Sequence, residues 1–133
     1  MDYLPLFHNL RQRRCLVVGG GMTALRKLRT LLDAGALVEV VAPEICAPIK
    51  SLATNRNVSL CERHWGDDDL ANVALIIAAT NDRSVNQRVA ETARAANIPV
   101  NVVDDPDLCT VIFPAIVDRS PIQIAISSSG AAP

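Results

Sequence analysis

Aromatic side chains are nearly missing from this chain: one Trp, one Tyr and two Phe in 133 residues. A core must then be filled with Val, Ile, Leu and Ala, which suits helices layered on a parallel sheet covered on both faces. An excess of one charge is missing too. Thirteen basic residues face fourteen acidic ones, and no run of five like charges occurs, so bulk electrostatics draws no nucleic acid. Cys15, Cys46, Cys61 and Cys109 form no C-x-x-C pair, and His8 and His64 stand apart from any second ligand. No stored metal site is expected, and the cysteines read as reduced thiols, Cys15 and Cys61 in the core. No apolar run approaches the ~20 residues that span a bilayer. The opening Met1-Asp2-Tyr3-Leu4-Pro5 is acidic and broken by proline. It does not read as a secretory leader, so a cytoplasmic place is expected.

What the chain does have is a succession of short apolar runs: Cys15 to Val18, Leu37 to Val41, Val58 to Cys61, Val73 to Ala79 and Val100 to Val103. Continuous apolar character marks strands buried on both faces. Between the first two, Ala24, Leu25, Leu28, Leu31 and Leu32 recur at helical spacing, and Gly35 is placed as a C-terminal cap. Asn81 or Asp82 can open another helix with Val85, Val89 and Ala93 inward, ended by Asn97 and Pro99. The pattern βαβαβ(α)βαβ predicts an α/β fold, a Rossmann-type doubly wound parallel sheet. After Asp104 the pattern changes. Thr110 to Val117 and Ile122 to Ser127 read as two strands around a turn at Asp118-Arg119-Ser120-Pro121, a C-terminal β extension. Ser127-Ser128-Ser129-Gly130 reads as a loop or helix cap with nothing after it, so the chain reads as part of something longer. The expected division is 1–112 for the nucleotide domain and 113–133 for the start of a further region.

The chemistry begins at Val18-Gly19-Gly20-Gly21-Met22-Thr23-Ala24, where Gly19, Gly21 and Ala24 fit G-x-G-x-x-A between a strand and a helix. Gly19 permits the tight turn, Gly21 lets backbone approach a diphosphate, and Ala24 keeps the helix close to the sheet. Gly20 completes the turn, and amides near Met22 and Thr23 face an anion in a favourable dipole field. The second strand ends at Val41-Ala42-Pro43-Glu44. NAD sites ordinarily carry an acid at this tip to hold the ribose. Here Ala42 takes the tip, which leaves the backbone of Pro43 and Glu44, or the Glu44 side chain, for that work. No Arg follows closely to receive a 2′-phosphate, which favours NAD over NADP.

All parallel strands end on one edge, where ligands bind. Thr80, Asn81 and Asp82 follow the fourth run and offer a hydroxyl, an amide and a cap near the nicotinamide; simple helix capping explains them equally well. Asp104 follows Val100-Asn101-Val102-Val103 directly. A carboxylate there can take a proton as hydride leaves a substrate, or help ligate an incoming metal. Asp104 to Asp107 also reads as a solvated turn. Trp65 beside Gly66 is expected to pin a loop, Asp67-Asp68-Asp69 to start a solvated helix, and Arg11, Arg13 and Arg14 to solubilise the amino-terminal segment.

Six blocks occur in order: Val17-Val18-Gly19-Gly20-Gly21, Ala24-Leu25-Arg26-Lys27, Ala78-Ala79-Thr80-Asn81-Asp82, Asn86-Gln87-Arg88-Val89, Asn101-Val102-Val103-Asp104 and Asp118-Arg119-Ser120-Pro121. Together they resemble the precorrin-2 dehydrogenase and sirohydrochlorin ferrochelatase domain of sirohaem synthase, over nearly the whole chain. The resemblance implies NAD-dependent oxidation of precorrin-2, then insertion of ferrous iron as a substrate, on the route to sirohaem and, through porphyrin-type intermediates, cobalamin. It implies that Asp104 serves both steps, and that Met22, Thr23, Pro43 and Glu44 touch the cofactor. It also implies a homodimer in the full-length protein, through a helical region beyond Ser127-Ser128-Ser129-Gly130, with a methyltransferase module following in some members. The tetrapyrrole carries eight carboxylates, for which Arg26, Lys27, Arg29 and Arg119 are candidates by position, each equally readable as a solvated charge. Two other readings stay open: a non-catalytic NAD-sensing module, and the cofactor half of another small-substrate dehydrogenase.

Overall fold

Strand β1 (Arg14–Val18) runs through the middle of the molecule, with Cys15, Leu16 and Val17 fully buried. The computed structural model, which describes residues 1–128, sets it in a five-stranded sheet with β2 (Leu37–Ala42), β3 (Val58–Glu62), β4 (Leu75–Ala78) and β5 (Val100–Val102). The order is β3-β2-β1-β4-β5 and every pairing is parallel. Successive side chains of a strand point to opposite faces, so each apolar run feeds two cores. Cys15, Val17, Val38, Val40 and Ile77 pack beneath α1 (Met22–Asp33) and α2 (Ala47–Ser51). Leu16, Val18, Val41, Ile76 and Ala78 pack beneath α3 (Arg83–Ala95). Each fully buried Val, Leu or Ile contributes about 1.5–3 kcal/mol of burial free energy, which is why the runs must be continuous.

The two long helices end alike. After α1, the Gly35 amide donates to the Leu32 carbonyl and the Ala36 amide to Leu31, with Gly35 at φ +77°. After α3, Asn97 at φ +57° donates to Arg94, and Ile98 donates to Ala93. Both are Schellman caps, on the residue types that best tolerate a left-handed backbone.

Several expectations need trimming. The fourth strand starts at Leu75 rather than Val73. Between β3 and β4 the chain makes only a 3-10 turn, Asp67–Leu70, in which Asp69 is buried rather than solvated. Asp69 takes two bonds from Arg63, at 2.9 and 2.6 Å, and one from the Gly66 amide at 2.8 Å, which hold its carboxyl below the usual range. Trp65 packs on the α3-side core with Arg88 over its ring.

Thr110 belongs to no strand: its amide donates to the Val100 carbonyl at 2.8 Å and its hydroxyl accepts from the Val100 amide at 2.9 Å, which draws this stretch alongside β5. The hairpin therefore starts later, as β6 (Ala115–Arg119) and β7 (Ile122–Ile126). Asp118 and Arg119 pair with Gln123 and Ile122, so the turn is Ser120-Pro121 alone. Of the expected cap after it, Ser129 and Gly130 lie outside the described residues. Among the described residues no helix is long and apolar enough to cross a membrane, and no three potential ligands gather as for a metal ion.

Candidate functional site

The carboxyl ends of the strands meet in a crevice where β1 and β4 lie side by side and their following helices depart to opposite faces. The glycine turn after β1 is shaped by its neighbours. Gly19 has φ +137°, and a Cβ there would sit 2.4 Å from the Ala79 carbonyl oxygen. Gly20 is pressed on the loop after β2: a Cβ would meet the Glu44 carbonyl oxygen at 2.0 Å, and the Gly20 carbonyl accepts from the Cys46 amide at 2.8 Å. Gly20 is thus a packing residue that locks the first two strand ends together. Gly21 differs, because nothing among the described residues lies within 4 Å of where its Cβ would be.

Gly21 is also the N-cap of α1, with no side chain to cap the helix and no acid in its first turn. The first intrahelical bond runs from the Leu25 amide to the Gly21 carbonyl at 3.0 Å. The amides of Met22, Thr23 and Ala24 therefore precede it without intrahelical acceptors. Met22 is exposed, Thr23 half-buried and Ala24 buried. Open space beside a glycine, free amides and the positive end of a helix fit the diphosphate of a dinucleotide. Ala42 is only 4% exposed, so its side chain belongs to the core and only its backbone can serve a ligand. Pro43 and Glu44 are exposed on the rim.

After β4 the three polar residues divide. Asp82 is the N-cap of α3, accepting from the Ser84 amide at 2.9 Å and hydroxyl at 2.6 Å and from the Val85 amide at 3.4 Å, and these bonds hold its carboxyl low. Thr80 is held by the buried Asn86: Oγ1 lies 2.6 Å from Asn86 Oδ1, the Thr80 amide donates to the same oxygen at 3.2 Å, and Asn86 Nδ2 donates to the Thr80 carbonyl at 3.1 Å. Capping thus accounts for Asp82 and packing for Thr80. Asn81 is exposed and its side chain makes no hydrogen bond among the described residues.

Past β5, Asp104 stands exposed at φ +63°. Among the described residues it makes no hydrogen bond or ion pair. Its neighbour Asp105 is paired with Arg83 at 3.4 Å, and the Asp105 amide donates to the Val102 carbonyl. Cys109 closes this turn. Its Sγ accepts from the Val102 amide at 3.1 Å and lies 3.2 Å from the Val102 carbonyl and 3.4 Å from the Asp105 carbonyl. Burial pushes this thiol up, as it pushes the Cys15 thiol to about 11. Sequence reasoning missed Asn86 and Cys109. Asn86 had a signal, a polar residue on the inward stripe of α3; Cys109 had none.

An open parallel sheet, a glycine turn leading into an uncapped helix and polar groups along one edge define a Rossmann-type nucleotide-binding domain. The profile of the family described as "Putative NAD(P)-binding" matches residues 6–115, and the chain belongs to that family. More particularly, the whole chain is 56% identical to part of the siroheme synthase of Pseudomonas paraeruginosa and 54% identical to part of that of Azotobacter vinelandii, covering 29% of each. The chain thus spans less than a third of these curated relatives. Among solved structures it is similar to "SirC, precorrin-2 dehydrogenase", with a TM-score of 0.80 and 32% identity over 98% of this chain and 64% of that one. These relatives agree with the resemblance read from the six sequence blocks.

Proposed function

We propose that this chain is an NAD-dependent dehydrogenase domain that oxidises precorrin-2 to sirohydrochlorin, and that in its full-length protein the same edge serves ferrous iron insertion to give sirohaem. The observation that carries the reading is the meeting on one sheet edge of an uncapped α1 beside open Gly21 and a carboxylate, Asp104, that is unpaired among the described residues. The likeness to siroheme synthases and to a precorrin-2 dehydrogenase supports the choice of substrate.

NAD bound on this edge supplies the hydride acceptor. The amides of Met22 and Thr23 hold its diphosphate beside the open Gly21, on the turn that Gly19 and Gly20 shape by packing. The Ala42 backbone, Pro43 and Glu44 flank the ribose, and Asn81 is the free amide of the Thr80–Asp82 trio. Asp104 accepts the proton that leaves precorrin-2 as the hydride departs, so that the macrocycle loses two electrons and two protons in all, and the carboxyl returns its proton to water. In the lyase-type second step, Asp104 accepts protons in turn as ferrous iron, a substrate, replaces the two inner N–H protons of the ring. Residues 1–112 form the NAD domain and 113–133 open the dimerisation and substrate region. The exposed apolar hairpin face of Val117, Ile122, Ile124 and Ile126 supports that division. The place of work is the cytoplasm, in sirohaem and cobalamin synthesis, with a tetrapyrrole rather than nucleic acid or a membrane as partner.

The test offers NAD and precorrin-2 to the full-length protein carrying this sequence. NADH and sirohydrochlorin absorbance should rise together, and ferrous iron should then convert the product to sirohaem. NAD binding without any turnover of precorrin-2 would instead favour a sensing module.

A further inference from the structure

Four cations were candidates for the substrate's carboxylates, and the structure separates one from the rest. Arg26 lies exposed along its own helix, 3.5 Å from the Thr23 hydroxyl. Arg29 is exposed. Arg119 is on the hairpin and donates to the Asp118 carbonyl. Lys27 is half-buried on the second turn of α1, and its Nζ lies 4.4 Å from the centre of the Phe113 ring. Phe113, Val103 and Val111 pack against the α1-side core. This ammonium is thus set toward the segments that carry and follow Asp104.

Lys27 has no carboxylate within 4.0 Å among the described residues. A ring face attracts the charge but accepts no ordinary hydrogen bond, so the three donors of the ammonium lack an acceptor among the described residues. Burial lowers its pKa, and the Asp104 charge is close enough to offset part of that effect without forming an ion pair. A partly desolvated cation of this kind is unfavourable by itself and favourable once an anion arrives.

We infer that Lys27 receives one peripheral carboxylate of the tetrapyrrole and so seats the ring edge beside Asp104. This is a binding and positioning role that rests on the dehydrogenase reading above. Phe113 holds the ammonium from one side and leaves its other donors free for the ligand.

The experiment compares the full-length protein with Lys27→Met, which keeps the stem, and Lys27→Arg, which keeps the charge. Two readouts are taken: the kinetics with precorrin-2, and fluorescence titration with uroporphyrin, an octacarboxylate macrocycle. Lys27→Met should raise the KM for precorrin-2 and the uroporphyrin Kd about tenfold, or 1.4 kcal/mol. Its kcat and NAD affinity should stay within about twofold, and Lys27→Arg should recover most of the loss. Should the Met variant not fold, Lys27→Gln carries the same test. An unchanged KM and Kd in a folded variant, or a fall in kcat alone, would overturn the assignment of Lys27 and leave the dehydrogenase reading standing. A wild-type protein that neither turns over precorrin-2 nor binds uroporphyrin would overturn both.

Discussion

Helices α1 and α3 both leave the carboxyl edge of the sheet, both end in Schellman caps, and they begin in opposite ways. At α3, Asp82 fills the N-terminus with its carboxylate, and Asn86 ties Thr80 behind it. At α1, Gly21 offers no side chain, the first turn holds no acid, and the space beside the glycine is open. A helix start capped by glycine gives up only a few tenths of a kcal/mol relative to one capped by an Asp side chain, so leaving it open costs the fold little. One terminus is therefore closed by the chain's own acid, while the other is left for an anion from outside.

The comparison can be broken from either side. Placing an acid at the open end should have the largest effect. Gly21→Asp has room for its side chain and should fold with a melting temperature unchanged or higher, while NAD affinity measured by calorimetric titration falls at least about 100-fold, or ~2.7 kcal/mol. Retained affinity in that variant would remove the α1 terminus from the cofactor site. Gly20→Ala sharpens the contrast between neighbouring glycines. Its Cβ would run into the Glu44 carbonyl, and chemical denaturation should report a loss of about 1–3 kcal/mol in stability. A stability equal to that of Gly21→Ala would contradict the packing role assigned to Gly20.

A smaller effect is expected at the closed end. Asp82→Ala should lower the melting temperature by a few degrees while the NAD Kd stays within about twofold, since the carboxyl is used inside the fold. The same group gives a pH dependence of known sign. Its folded pKa is depressed by the bonds from Ser84 and Val85. The cap's contribution is therefore complete above the unfolded value of about 3.9 and is lost as pH falls through the lower folded value. Acid melts of wild type and Asp82→Ala should converge below that range. Curves that stay parallel would show that Asp82 does not cap through its charge.

Much of this was legible in the residues. Period-2 burial on both faces made the strand runs continuous, and Gly35, Asn97 and Asp82 sit where helix ends require them. The glycine turn was readable because its strand and helix flank it in sequence. Other features depend on contacts that local pattern does not encode. Thr110 looks like a strand residue until its bonds are seen to go to Val100, which shifts the hairpin toward the C-terminus. Asp69 looks like part of a solvated acidic run until Arg63 folds back on it. Ala42 stands at the strand tip in the sequence, and only the structure shows that its side chain belongs to the core. Lys27 was one of several equal cations in the sequence, and only the placement of Phe113 and Asp104 singles it out.

In the proposed oxidation Asp104 is the point where fold becomes chemistry, and Asp104→Asn probes it with the least change in shape. In the full-length protein, NADH formation from precorrin-2 should slow by about 10²–10⁴-fold, as expected when a general base is removed, while NAD binds within about twofold of wild type. Undiminished NADH formation by that variant would contradict the account.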